Sequence, residues 1–275
     1  MSRPVITFAT DFGPAAPAVC RGVMYGIAPN ALIIDINHQI PRFSIRDGAA
    51  TLAFALPYMP LGIHVAVVDP GVGTERRGLA IKVGRGDILV GPDNGLFGPA
   101  AERLGGVTAV RALENRDLML PVITSSFHGR DVFAPIAAHL AMGTPLDAVG
   151  PAVDPASLVR LDVPRPTIRD GELESQVIHI MVYGNVTLAG RTGDLEQAIG
   201  PLTPGRRLRL EFPVHEGRAA VTETTVWERT FGSVPLGSSL LMEDSEGNLS
   251  LADNQGNAAE RLGLAVDRPV RIRPA

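Results

Sequence analysis

A change of hydrophobic period near residue 165 constrains this chain more than any other feature. Before it, short apolar runs rich in β-branched residues alternate with stretches of helical spacing. Strands are expected at residues 4–10, 32–37, 64–69, 79–83 and 87–90, and helices up to about Ile27 and at 45–56, 96–104 and 132–142. The run H-V-A-V-V-D at 64–69 is apolar on both faces, as a strand covered from two sides must be. Such alternation predicts an α/β domain with a mainly parallel sheet flanked by helices. Beyond it the apolar runs at 176–182, 207–212, 218–227, 238–243 and 248–252 are strand-like, with helical spacing only weak near 258–262. That half predicts a smaller all-β domain. The segment D-V-P-R-P-T-I-R-D-G at 162–171 has two prolines, mixed charge and no period, and reads as a connection. The expected organisation is an α/β N-terminal domain over 1–165, a linker over 166–172 and a β-rich C-terminal domain over 173–275.

Composition removes several function classes. A net charge of −4 argues against nucleic acid as the main partner. Arg206, Arg207 and Arg209 form the densest basic cluster, and their spacing in a strand fits a solvated face. One cysteine, Cys20, excludes an internal disulfide and a cysteine-rich metal site. Its Ala/Val/Gly-rich surroundings favour a packed thiol over a nucleophile. No basic start with an apolar run and a small-residue cleavage site opens the chain, and no apolar stretch reaches the length of a membrane span. A cytoplasmic protein with no membrane partner is expected.

Polar groups placed just after apolar strands are the candidates for chemistry: Asp11, Asp69 with Arg76, Asp93 with Asn94, and His128. A single Asp at a strand end usually serves a turn or a helix cap. Four such turns in one sheet can instead converge on the crevice outside the strand ends, where open α/β sheets bind ligands. For His128, between Phe127 and Gly129, a helix start bonded to Asp131 and a catalytic role both stay open. The glycine-rich dinucleotide fingerprint, the phosphate loop and H-E-x-x-H are absent, and Ser125-Ser126 lacks the G-x-S-x-G elbow. An arginine beside Asp69 and His128 would oppose a divalent cation, so no metal is expected.

T-D-F-G at 10–13, V-D-P-G-V-G-T-E-R-R at 68–77, P-D-N-G at 92–95 and F-H-G-R-D at 127–131 occur in this order, followed by Y-G-N at 183–185 and the stretch 245–259. As a set they resemble the S-adenosyl-L-methionine hydroxide adenosyltransferase family, the hydrolytic branch of the group containing the adenosylmethionine-dependent chlorinase and fluorinase. The resemblance implies displacement of methionine from C5′ of S-adenosyl-L-methionine by water, giving adenosine and L-methionine with no cofactor. It assigns Asp69, Arg76 and His128 as the water-activating trio, Asp11 to the ribose hydroxyls and Phe43 to a place beside the ribose. Asn185 then reads the adenine edge and Ser245 contacts the methionine carboxylate. Asn94, Phe127 and Tyr183 are further substrate-binding positions. The resemblance also implies a homotrimer with active sites at subunit interfaces.

The implied chemistry is physically coherent. Sulfonium leaves without protonation, so the difficult reactant is water. Asp69 or His128 could take its proton, a contribution of about 10²–10⁴-fold. Arg76, neutralised by Asp69, offers fixed donors to developing hydroxide charge, and in-line placement of the water is a larger effect. A halide needs no base, and Gly129 stands where the fluorinase has a halide-binding serine. The β-rich half departs from the family pattern. Met181 and Ile180 occupy positions where an acid is expected for the substrate ammonium, leaving Glu243, Asp244, Glu246 or Asp253 as substitutes. Two alternatives therefore stand beside hydrolysis: a non-catalytic adenosine or adenosylmethionine binder, and a hydrolase of another 5′-substituted adenosine.

Overall fold

In the computed structural model, which describes residues 3–275, the chain forms two units, one ending at Asp162 and one beginning at Val163. The first contains β1 (Val5–Thr10), α1 (Ala16–Ile27), β2 (Leu32–Asn37), α2 (Ile45–Ala55), β3 (Ile63–Val67), β4 (Gly78–Val83), β5 (Ile88–Pro92), α3 (Gly98–Arg103), β6 (Val107–Ala112) and α4 (Ala134–Ala141). Its sheet runs β2-β1-β3-β5-β4-β6. β1 is parallel to β2 and β3, and β3 to β5. β4 is antiparallel to both β5 and β6.

The expected mainly parallel sheet is thus a mixed one, and the reason is local. Only residues 84–87 join β4 to β5, far too few for the crossover that parallel neighbours need. Gly86 takes a positive φ of 106° there, and Val83 N–H donates to Asp87 O. β6, which no expectation included, closes that side of the sheet.

Both faces of this sheet are covered. Ile6, Phe8, Val65 and Val67 pack with Cys20 and Met24 of α1 and with Ile136 of α4. Ala9, Ala66, Val68, Leu79 and Leu89 pack with Leu52 of α2 and Ala100 of α3. The alternation of Val65 and Val67 against Ala66 and Val68 is the two-residue period of a strand buried on both sides. Full burial of each large apolar side chain contributes about 1.5–3 kcal/mol. Cys20 is a packed thiol, its pKa pushed up to about 12 chiefly by burial.

The second unit contains β7 (Thr167–Arg169), β8 (Glu172–Ile180), β9 (Val186–Arg191), α5 (Thr192–Ile199), β10 (Arg207–Phe212), β11 (Val221–Trp227), β12 (Ser239–Glu243), β13 (Asn248–Asp253), α6 (Ala258–Leu262) and β14 (Pro269–Pro274). The order β14-β10-β11-β12-β13-β9-β8 closes through pairing of β14 with β8, making a seven-stranded barrel with β7 added along β8. Leu173, Leu188, Leu210, Leu241, Leu251 and Ile272 fill its core. The barrel is mixed, since β11 and β12 are parallel, and α5 and α6 mean that the unit is not all-β. On β10, Leu208, Leu210 and Phe212 point inward while Arg207 and Arg209 face outward, the solvated face expected of them. Arg206 instead donates to the carbonyls of Ile199, Gly200 and Pro201 at the end of α5. Among the described residues, no helix is long and apolar enough to cross a membrane.

Candidate active site

β3 carries Val67 and the fully buried Val68 to the sheet edge, where the chain turns at Asp69. Val72 N–H closes this turn onto Asp69 O, and Thr74 Oγ1 donates to Gly71 O. Gly73 has φ +77°, and a Cβ there would lie 2.3 Å from Ser125 O, so glycine is required. The turn sends Arg76 back over the strand end. Its Nε lies 2.9 Å from both Asp69 oxygens and its Nη2 2.6 Å from Oδ2. The same Nη2 donates to His128 Nδ1 at 2.9 Å. The Phe133 ring centroid sits 5.2 Å from the guanidinium carbon.

Because a guanidinium only donates, its bond to Nδ1 makes that nitrogen the acceptor and leaves the proton of neutral His128 on Nε2. Burial first, and then the Arg76 cation, push the His128 pKa below its ordinary value, against the opposing pull of Asp69 and Asp131. Asp131 is not the partner of His128. Fully buried, it accepts from Thr124 N (2.8 Å), Thr124 Oγ1 (2.6 Å) and Arg130 Nε (2.5 Å). These bonds anchor the turn Gly129–Phe133, which is π-helical: Ala134 N–H donates to Gly129 O, five residues back. The helix expected from Val132 therefore begins as α4 only at Ala134, and His128 sits at the entry to this wide turn.

Asp69 and His128 line a cleft of about 420 Å³ together with Asp11, Phe12, Arg42, Phe43, Val67, Val72, Ser126, Phe127 and Gly129. Asp11 follows β1, and its Oδ2 accepts Phe43 N–H at 3.0 Å. Phe43 is 68 % exposed and has φ +64°, an uncommon conformation for an aromatic residue that persists where the surroundings enforce it. A Cβ on Gly129 would meet two ring carbons of Phe12 at 2.8 Å, and Phe12 in turn packs edge-on against Phe127 with centroids 5.5 Å apart. Sequence reasoning had not singled out Phe12, Arg42 and Ser126; each adjoins a residue that it had.

Asp93 and Asn94 have a supporting place. Asp93 is bound by Arg77 Nη2 and accepts from Val159 N, while Asn94 Nδ2 donates to Val68 O at 2.8 Å. Asn94 is thus engaged behind Asp69 and is not among the residues lining the cleft. Among the described residues, no group of three or more His, Cys, Asp or Glu side chains could hold a metal ion.

Tyr183, Asn185 and Ser245 belong to the second unit. Tyr183 and Asn185 lie on the β8–β9 connection, where Met181 N–H donates to Asn185 O and Gly184 O accepts from Ala259 N. Met181, Val182 and Tyr183 are exposed. Ser245 is exposed at the β12–β13 turn, whose shape is held by Asp244 Oδ1 accepting from Glu246 N and Asn248 N. Of the acids considered for an ammonium, Asp253 is committed to Arg261 at 2.8 Å and Asp244 to its own turn. Glu243 accepts from the hydroxyl of Thr192 at the start of α5 and is exposed.

The SAM hydroxide adenosyltransferase N-terminal domain matches residues 6–150 and the corresponding C-terminal domain matches 175–271. The chain is 44% identical over 271 residues to the (R)-S-adenosyl-L-methionine hydrolase of Salinispora tropica, covering 98% of this chain and 97% of that one. Identity to the fluorinase of an Actinoplanes species is 27% over 99% of this chain and 98% of the relative. The crystal structure of an uncharacterized conserved protein from Thermotoga maritima superposes with a TM-score of 0.86 at 31% identity, covering 98% of this chain and 99% of that one. By both matched domains and by its full-length relatives, this chain belongs to the SAM hydroxide adenosyltransferase family.

Proposed function

We propose that the chain hydrolyses S-adenosyl-L-methionine to adenosine and L-methionine by in-line attack of water on C5′. The observation that carries this reading is the convergence of Asp69 and His128, bridged by Arg76, on the cleft that also presents Asp11. The new O–C5′ bond forms as the C5′–S bond breaks, and its electron pair neutralises the sulfonium to give the thioether of methionine. Asp69 is the acceptor for the proton of water. His128, with Nδ1 occupied by Arg76, orients the water oxygen from its Nε2–H. Asp69 cancels the Arg76 charge, so the cationic substrate meets a locally neutral pair, and Asp11 adds a favourable negative field.

In this reading Asp11 binds the ribose hydroxyls with one oxygen while Phe43 N–H holds the other, and Phe43 and Phe127 flank the nucleoside. Tyr183, Asn185 and Ser245 serve the adenine and methionine ends, and Asn94 acts through the strand end at Val68. No metal or cofactor takes part. The assembly is a cytoplasmic homotrimer in which a neighbouring copy completes each site.

The test is purified protein with each sulfonium epimer of S-adenosyl-L-methionine, followed by chromatography for adenosine and methionine. No adenosine above a heat-killed control would sink the hydrolase reading, and adenosine binding without turnover would favour a binder. Light scattering should return about three times the 29.0 kDa subunit mass; a fully active monomer would contradict the trimer.

A further inference from the structure

Behind the Asp11 loop runs a chain of polar groups that the water-activating set does not use. β1 ends at the fully buried Thr10. Beside it, the pairing of β1 with β2 slips by one residue, Phe8 facing Asp35 and Ala9 facing Asn37. The slip brings His38 next to the loop. His38 Nδ1 lies 2.9 Å from Thr10 Oγ1, and that oxygen also accepts Phe12 N–H at 3.2 Å. The His38 carbonyl accepts Gly13 N–H at 2.9 Å. Asp35 Oδ1 stands 3.0 Å from His38 Nε2, out of line for a well-formed hydrogen bond but close enough to attract its N–H. Arg21 of α1 holds the other Asp35 oxygen at 2.5 Å. The ring itself rests edge-on against Phe8, centroids 4.9 Å apart.

The direction of these bonds follows from the groups. The Asp35 carboxylate can only accept, so it favours the neutral ring with its proton on Nε2, facing that carboxylate. Nδ1 is then the acceptor, and Thr10 Oγ1 donates to it while accepting Phe12 N–H. His38 therefore grips the loop 10–13 twice, at Thr10 and at Gly13, and Asp11 lies between those grips.

We propose that His38 is a positioning residue for the nucleoside end of the cleft, aiming the Asp11 carboxylate through Thr10 Oγ1 and the Gly13 amide. This rests on the reading of Asp11 as the ribose contact. A merely structural histidine would lower thermal stability and leave affinity alone; a positioning one must change affinity in folded protein.

The experiment measures adenosine binding by calorimetry and steady-state kinetics with S-adenosyl-L-methionine for wild type, His38→Leu, His38→Asn, Thr10→Val and the Leu/Val double variant. His38→Leu and Thr10→Val each weaken adenosine binding and raise KM by about tenfold, the scale of one buried hydrogen bond, with kcat within about threefold. His38→Asn, whose amide oxygen sits near the place of Nδ1, recovers most of the affinity. The double variant is no worse than Thr10→Val alone, because removing the hydroxyl already cuts the link to His38. Adenosine affinity within about twofold of wild type in folded Thr10→Val, or equal losses for Leu and Asn, would overturn the proposal. Thr10→Val exchanges a hydroxyl for a methyl in the same shape and serves if His38→Leu fails to fold. Wild type that binds adenosine without turnover defeats the hydrolase reading while the affinities still decide the role of His38. Wild type that binds no adenosine defeats both.

Discussion

Lysine at position 76 keeps the cation and removes the planar fork, so it separates the chemistry of Arg76 from its charge. Arg76 now makes two contacts of 2.9 Å and one of 2.6 Å with Asp69 and one of 2.9 Å with His128 Nδ1, over the ring of Phe133. An ammonium can satisfy Asp69 or His128 but cannot hold both in one plane. The bond given up is charge-assisted and worth about 1.5–3 kcal/mol. At about 1.4 kcal/mol per tenfold in rate, Arg76→Lys should lower kcat by roughly 10- to 150-fold. KM should change little, because no ribose or adenine contact is touched. Stability should fall only slightly, since Asp69, its side chain 3% exposed, keeps a cationic partner. Arg76→Ala is a poorer probe because it strands a buried carboxylate, a loss of about 3–5 kcal/mol that confuses rate with folding. The assay is initial-rate adenosine formation over a range of substrate concentrations, with thermal unfolding alongside. A folded Arg76→Lys enzyme within about threefold of wild-type kcat would refute the argument that the fork holds His128 in its working tautomer.

His128 works as the neutral ring and its pKa is pushed below 6.5, so kcat should stay flat through neutral pH and fall on the acid side with a midpoint below 6.5; a midpoint above that value contradicts the assignment. The unfolded chain takes up those protons first, so stability should also decline as pH drops below 6.5, His64 acting in the same direction because burial lowers its pKa too. Gly129→Ala places a methyl 2.8 Å from the Phe12 ring, and overpacking of this kind costs about 1–3 kcal/mol. Calorimetric unfolding should show that loss together with a raised KM, and unchanged values would mean that Phe12 can yield. Phe43→Asn should keep or raise the melting temperature, because asparagine tolerates the positive φ of 64° better, while KM rises with the loss of the aromatic wall. A drop in melting temperature would show that the ring stabilises the fold.

The strand ending at Asp69 was legible because an apolar run stopping at an acid and a glycine turn is a local signal. The partner His128 was implied by the family resemblance and not by spacing: it lies 52 residues from Arg76, and the folded chain selects that bond over one to Asp131. Residues G-L-A-I-K-V of β4 suit either strand direction, so the mixed sheet is decided by the short link after Val83 rather than by the strand. β6, β9 and β14 carried too few alternating residues to stand out. α5, eight residues with Gly193 near its start, is too short for a helical period to show. Barrel closure depends on residues 173–176 pairing with 269–272, and no local pattern encodes a partner that distant. In the cleft, the acids and His128 were visible as types out of place, whereas Phe12 there and His38 behind the Asp11 loop look like ordinary core and loop residues until their neighbours are known.

The π-helical turn at Gly129–Phe133 bears on which changes of chain length this protein can survive. Downstream, α4 is locked in register by the buried Ile136, Ala137 and Leu140, so a deleted residue between 129 and 133 cannot be absorbed in that direction. The turn would tighten to an ordinary α-helical one, and the residues immediately before it, His128 among them, would rotate by about 100°, the angle between successive helical residues. His128 would then swing away from Arg76 although no side chain in the cleft had been replaced. The wider turn therefore acts as a length standard: sequences that keep all the cleft residues but lose one position here should fold normally and have no water site.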